Sequence, residues 1–184
     1  MLRRVGASED RVLGTQGNIA VTYEALGRLD ESLCMFRDVY FGRLKFSGEE
    51  NFHTLSAANN YASSLLDTNH EVEEAKSVLK RTLLVARRVL GEVNEITLYG
   101  RWNYARALYN NDNATLDDIR EAVNTLEDLE RIARHVLGDA HPIRVHIEQH
   151  LRKSRAARRE SRCPSGEVIL YVVVAVFAWL YYLY

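Results

Sequence analysis

Cysteine and proline are scarce in this sequence, since its 184 residues include only two of each. The cysteines, Cys34 and Cys163, are far apart in the chain, which excludes a disulfide framework and predicts a reducing, cytoplasmic location. Two prolines and ten glycines also exclude the collagen-like and proline-rich classes, and they favour helices. The segment from Met1 to Gly6 lacks the apolar run of a secretory signal.

Charge is unevenly distributed, although the formal net charge is only −1. Residues 152–167 hold six basic and two acidic side chains, which leaves a net charge of −5 on residues 1–151. A nucleic-acid-binding domain usually carries a basic face on its folded part, so nucleic acid is not the expected partner. An apolar fraction of 47% beside 27% charged residues predicts a packed core.

The chain repeats itself with a fixed internal offset. Four glycines are each followed twelve residues later by a polar residue, in the pairs Gly6 and Asn18, Gly48 and Asn60, Gly91 and Asn103, and Gly138 and His150. A second pattern recurs in Glu31-Ser32, Glu74-Ala75 and Glu121-Ala122. Only the joint between the two patterns varies in length, from 14 to 19 residues. Variation confined to one joint is expected of a helical hairpin whose turn tolerates insertions.

Each half of the repeated unit has the pattern of an amphipathic helix. Residues 72–90 place apolar side chains at a period near 3.6, and Gly91 follows as a helix C-cap. Thr115 and Asp118 form a capping arrangement at the start of the longest second helix. Because a single hairpin cannot bury its own apolar face, the pattern predicts a stack of hairpins.

These residues resemble the long tetratricopeptide repeat, of about 42 residues, that is typical of kinesin light chains. The resemblance is carried by Thr54-Leu55 and Thr97-Leu98, by the triplets Asn60-Tyr61-Ala62 and Asn103-Tyr104-Ala105, and by the Glu-Ala pairs. It covers about residues 6–151, where His141-Pro142 is close to the family's inter-repeat linker. The resemblance implies an array that binds other proteins, but it does not identify a partner.

The predicted fold class is all-α: a right-handed α-solenoid of three helical hairpins and a terminal helix over about residues 142–159. The repeats occupy residues 1–151, with hairpins at about 6–47, 48–90 and 91–137 and the first helix of a fourth from 138. A basic neck, 152–167, and an apolar C-terminal tail, 168–184, follow.

In arrays of this type the first helices line a concave groove, and the resemblance implies that the asparagine of each triplet faces it. The candidate peptide-binding residues are Asn18, Asn59, Asn60, Ser63, Tyr99, Trp102, Asn103 and Arg106. Carboxamides both donate and accept hydrogen bonds, so they can pair with the backbone of an extended peptide. Arg106 suits a carboxylate, and Trp102 and Tyr99 suit aromatic anchoring, which favours an acidic or aromatic peptide. The alternative is that the asparagines satisfy contacts between helices within the array.

No spacing of residues predicts a catalytic, metal-binding or cofactor-binding site. His146 and His150 lie four residues apart, but the glutamate that follows the first histidine of the zinc-protease motif is missing. Gly14 and Gly17 fall within a predicted helix and not in a phosphate-binding loop. We therefore expect no enzyme activity, no cofactor and no metal. Cys34, in an apolar stretch of a second helix, is expected to be a small buried side chain.

The tail is the longest apolar run in the chain. As a helix, the 17 residues of 168–184 would be about 26 Å long, just short of a hydrocarbon core of about 30 Å. With the basic neck before it, this run is expected to be a tail anchor that holds the repeats on the cytosolic face of a membrane. Two alternatives stay open: a buried strand or capping helix over the last repeat, and a non-native sequence appended by a misread gene.

Taken together, these features predict a non-catalytic scaffold that binds a peptide or a partner helix of another protein in its groove. The alternative is a fragment of a larger repeat-containing signalling ATPase or transport adaptor whose catalytic part lies outside this chain.

Overall fold

The computed structural model describes residues 8–68, 71–111, 113–136 and 141–160. Within these ranges the chain forms seven α-helices and no strand. The helices are α1 (Glu9–Ala25), α2 (Leu29–Ser47), α3 (Phe52–Thr68), α4 (Val72–Leu90), α5 (Glu95–Tyr109), α6 (Leu116–Val136) and α7 (Pro142–Glu160).

The helices pack in chain order. α1 pairs with α2, α3 with α4 and α5 with α6, while α2 also packs on α3, α4 on α5 and α6 on α7. This arrangement confirms the predicted solenoid of three hairpins and a terminal helix. Two boundaries agree closely with the sequence, because α4 covers the predicted residues 72–90 and α7 ends one residue after the predicted 142–159.

Local sequence determines where several helices begin and end. Gly48 and Gly91 follow α2 and α4 with φ angles of 79° and 87°, a left-handed region that glycine enters without a steric penalty. The Asn94 side chain accepts a hydrogen bond from the Ile96 amide at the start of α5. Thr115 and Asp118 cap α6 reciprocally: the Thr115 amide donates to Asp118 Oδ2 at 3.0 Å, and the Asp118 amide donates to Thr115 Oγ1 at 3.1 Å.

The core runs through the array as two main clusters of buried side chains. The first lies between α2, α3 and α4, where the rings of Tyr40 and Tyr61 stack with centroids 5.8 Å apart. Leu79 of α4 is fully buried in the same cluster. The second lies between α5, α6 and α7, and it includes Leu98, Leu126 and Ile147, each fully buried. Each hairpin thus covers the apolar face of the next one, as a repeat array requires.

The first helices also pack against one another. α3 contacts α5 and α5 contacts α7, whereas the described residues provide no comparable contact between α2 and α4 or between α4 and α6. Helices on the inner side of a bent stack lie closer together than those on the outer side. We therefore assign α3, α5 and α7 to the inner side of the array, and refer to this surface as the inner face.

The expectation for Cys34 was wrong, because this side chain is exposed. The buried positions of α2 include Ser32 and Phe36, one helical turn apart. At about 100° per residue, Cys34 lies between them in sequence but on the opposite side of the helix. The apolar neighbours in the sequence did not reveal this rotation.

The predicted tail, 168–184, lies outside the described residues, as do Cys163, Gly6, Gly138 and the end of the neck. None of the described helices has both the length and the apolar composition needed to cross a bilayer.

Candidate functional site

Five of the eight predicted site residues meet on the inner face. Ser63 comes from α3, and Tyr99, Trp102, Asn103 and Arg106 come from α5. Two others, Asn18 on α1 and Asn60 on α3, have exposed side chains. The eighth, Asn59, is buried and makes a contact of a different kind, described below.

Arg106 connects the two helices. Its Nη2 donates to Asp67 Oδ1 of α3 at 2.6 Å, and its Nη1 donates to Asn103 Oδ1 at 3.2 Å and, more weakly, to Ser63 Oγ at 3.4 Å. Only 11% of the Arg106 side chain is exposed. A guanidinium paired with a carboxylate in such a partly buried position forms a strong, charge-assisted interaction. Arg106 is therefore already paired with a carboxylate of the chain itself.

Trp102 contacts the guanidinium of this ion pair. The Arg106 Cζ atom is 4.9 Å from the centroid of the indole, within the range of a cation–π contact. The ring also meets two imidazoles of α7, His146 and His150, at 5.3 Å each, and the Tyr99 ring at 6.2 Å. Trp102 is only 9% exposed, so it connects α5 to α7 as a buried aromatic contact.

His150 is placed by α7 in a position that disfavours its charged form. Its ring meets Trp102, and its Nδ1 is hydrogen bonded to the Tyr109 hydroxyl. Burial lowers the pKa of His150 to about 4, and the nearby positive charges of Arg106 and Lys153 act in the same direction. Burial also raises the pKa of Tyr109 to about 12. Both rings are therefore neutral at physiological pH.

Helix α1 places Glu24, near its C-terminal end, close to the same surface. Burial raises the pKa of this carboxyl group, the charge of Asp67 raises it further, and Arg106 opposes the shift. Side chains of α3, α5 and α7 thus form one connected group, and together with nearby Glu24 of α1 we name it the inner-face cluster. It consists of Glu24, Ser63, Asp67, Trp102, Asn103, Arg106, Tyr109, His146 and His150.

Asn59 supports the alternative that some asparagines serve contacts between repeats. Its Nδ2 donates to the Ile96 carbonyl in the first turn of α5 at 2.8 Å, and the residue is 8% exposed. Trp102 occupies the same repeat position, immediately before the triplet asparagine, and it too contacts the next first helix. The residue before the triplet asparagine therefore joins successive repeats. This contact explains why Asn59 is buried while Asn60 beside it is exposed.

Sequence reasoning missed Asp67, Glu24, Tyr109 and the α7 histidines as members of the site. A signal for His150 existed, because it follows Gly138 by the same twelve residues that separate Gly91 from Asn103. His146 likewise lies four residues before it, as Tyr99 does before Asn103. Continuing the row into the fourth repeat would have found both.

The depressed pKa of His150 predicts that the protein loses stability in mild acid. The unfolded chain binds a proton with a pKa near 6.5, whereas the folded chain resists protonation down to about pH 4. The effect of His150 on the free energy of unfolding is therefore constant above pH 6.5. As the pH falls from 6.5 towards 4, the free energy of unfolding decreases. For this partly exposed ring we expect a loss of roughly 1–2 kcal/mol, after allowance for solvent screening.

Urea unfolding of the wild type and His150→Gln at a series of pH values measures this effect. Relative to His150→Gln, the wild type should lose unfolding free energy as the pH falls from 6.5 to 4. Above pH 6.5 the difference between the two proteins should be constant. A constant difference across the range would contradict the assignment. Taking the difference removes the contribution of Glu24, whose raised pKa acts in the opposite direction.

No protein-family model matches the sequence, and no curated protein matches it. Solved structures do resemble it. A kinesin light chain from Podosopora anserina with nearly identical TPR-like repeats aligns over 93% of this chain and 77% of its own, with 23% identity and a TM-score of 0.70. A point variant of that protein aligns over 94% of this chain and 77% of its own, with 23% identity and a TM-score of 0.71. BtubC (BKLC) from P. vanneervenii aligns over 85% of this chain and 67% of its own, with 14% identity and a TM-score of 0.54. At such low identity the likeness concerns the fold: the chain folds as a tetratricopeptide-like helical repeat.

Proposed function

We propose that this protein is a non-catalytic scaffold whose first helices hold a peptide or partner helix of another protein. The observation that carries the proposal is the inner-face cluster, in which side chains of α3, α5 and α7 are joined by hydrogen bonds and ring contacts. Exposed Asn60 lies beside it on α3 and offers an unused carboxamide. The TPR-like fold of the solved relatives supports a binding role, because such arrays bind partners along their concave surfaces.

The charges of the site bear on the kind of partner. Asp67 already holds Arg106 at 2.6 Å, so an acidic segment would have to displace this carboxylate before it could bind the guanidinium. Glu24 adds a second carboxyl group nearby. We therefore favour recognition of a peptide backbone by carboxamides, with aromatic contacts beside it, over recognition of an acidic sequence.

A second part of the proposal concerns location. The sequence of residues 168–184 is wholly apolar or aromatic and follows a basic neck. We propose that this segment tethers the array to the cytosolic face of a membrane, so that partners are captured next to that membrane.

Selection of a peptide ligand tests the binding function. The full chain would be used to select binders from a random peptide library, and the affinity of a selected peptide would be measured by fluorescence anisotropy. Asn18→Ala combined with Asn60→Ala should weaken binding about tenfold or more, because two exposed hydrogen-bonding carboxamides are removed. Asn124→Ala, on the exposed side of α6, is the matched control and should leave the affinity unchanged.

Circular dichroism must show equal helicity and equal thermal midpoints for the variants compared. If the peptide binds the double variant and the wild type equally well, the inner face is not the binding surface.

A further inference from the structure

An arginine-rich face of α7 lies apart from the inner-face cluster. Arg152, Arg155 and Arg159 are exposed and, with Ala156, line an open groove of about 430 Å³. Their spacing of three and four residues places them on one side of the helix. Lys153 and Arg158 add to the charge, so residues 152–159 contain five basic side chains and no acidic one. We refer to the three groove arginines as the arginine face.

Little of this charge is neutralised by the described part of the chain. Arg155 Nη2 is 2.8 Å from Glu127 Oε1 of α6, but both side chains are about half exposed. Exposed ion pairs of this kind are weak and exchange readily for other partners. The described residues hold no ion pair for Arg152 or Arg159. A guanidinium presents its donors in a planar fork that matches a phosphate group.

We propose that the arginine face binds the anionic phospholipid headgroups of a membrane surface. Charge complementarity favours this occupant, because several arginines on one side of a helix match a plane of phosphates and carboxylates. The position in the chain favours it as well. The apolar segment begins nine residues after Arg159, and an extended chain of this length reaches at most about 30 Å. The arginine face therefore stays close to any membrane that the segment enters.

This inference deepens the membrane tether proposed above by naming the lipid class that is recognised. A nucleic acid also carries phosphates, but the net charge of −5 on residues 1–151 would repel a long polyanion that extends along the array. A membrane surface can meet α7 at the end of the stack without approaching the acidic repeats. The arginine face would then determine the orientation of the array relative to the membrane.

Vesicle flotation with the full chain tests the inference. The vesicles would consist of phosphatidylcholine alone or of phosphatidylcholine mixed with phosphatidylserine. The test variant is Arg152→Gln/Arg155→Gln/Arg159→Gln. The control, Arg81→Gln/Arg88→Gln/Arg131→Gln, removes the same charge from exposed arginines of α4 and α6. Each arginine near an anionic surface strengthens binding about fivefold, so the test variant should bind anionic vesicles about a hundredfold more weakly than the wild type.

The control variant should bind the anionic vesicles nearly as well as the wild type, and added salt should weaken binding of both. Equal binding of the test and control variants to anionic vesicles would overturn the inference. The inference would also be overturned if the wild type bound single-stranded RNA more tightly than anionic vesicles and the test variant lost this RNA binding.

Neutral vesicles report on the tether separately. If all three proteins float equally with phosphatidylcholine alone, the apolar segment anchors the chain as proposed. If none floats with neutral vesicles while the wild type still exceeds the test variant on anionic ones, the tether is wrong and the arginine face is supported.

Discussion

Replacing Trp102 with alanine should lower the free energy of unfolding by about 3–5 kcal/mol. The indole is 9% exposed and contacts both Arg106 and the two histidine rings of α7. Its removal leaves a cavity at the junction of α5 and α7. We therefore expect α7 to detach more readily, and urea unfolding followed by circular dichroism would measure the loss.

Trp102→Phe is the matched control. Phenylalanine keeps an aromatic ring and discards the indole N–H, which has no hydrogen-bond partner among the described residues. Its cost should be well below that of alanine, because an unsatisfied donor contributes nothing favourable when it is buried. If Trp102→Ala costs less than about 1 kcal/mol, Trp102 does not join the helices as described.

The second large effect concerns α4, where two leucines five residues apart should behave differently. Leu79 is fully buried in the core between α2, α3 and α4, whereas Leu84 is 69% exposed. Leu79→Ala should lower the free energy of unfolding by about 2–5 kcal/mol, since a buried leucine leaves a cavity. Leu84→Ala should change it by less than about 0.5 kcal/mol.

Chemical unfolding of the two variants under identical conditions makes the comparison. Similar costs for both substitutions would mean that α4 does not present its Leu79 side to the preceding helices. The pair therefore tests the rotation of α4 about its own axis, which the repeat packing requires.

Helix positions were predictable because their signals are local. The 3.6-residue period of residues 72–90 and the glycine after it define α4 without reference to the rest of the chain. The constant offset between each glycine and the polar residue twelve positions later predicted the hairpins, since packed helices cannot vary in length. Cys34 shows where such reasoning fails: neighbouring apolar residues do not reveal which side of a helix a residue occupies.

The composition of the site was only partly predictable. The repeat position placed Ser63, Trp102 and Arg106 on the inner face, but it could not reveal that Asp67 already holds the guanidinium. The repeat position also could not distinguish buried Asn59 from exposed Asn60. These residues are adjacent in sequence but about 100° apart around the helix. Pairings between helices depend on side-chain reach and burial, and these appear only once the helices are packed.

Location of a bound peptide tests the central proposal most directly. A peptide selected by the full chain, carrying a photoreactive group, would be crosslinked to the protein and the modified residues identified by mass spectrometry. Binding along the inner face predicts crosslinks on α3, α5 and α7, near Asn60, Ser63 and Arg106. Crosslinks confined to α2, α4 and α6 would contradict it.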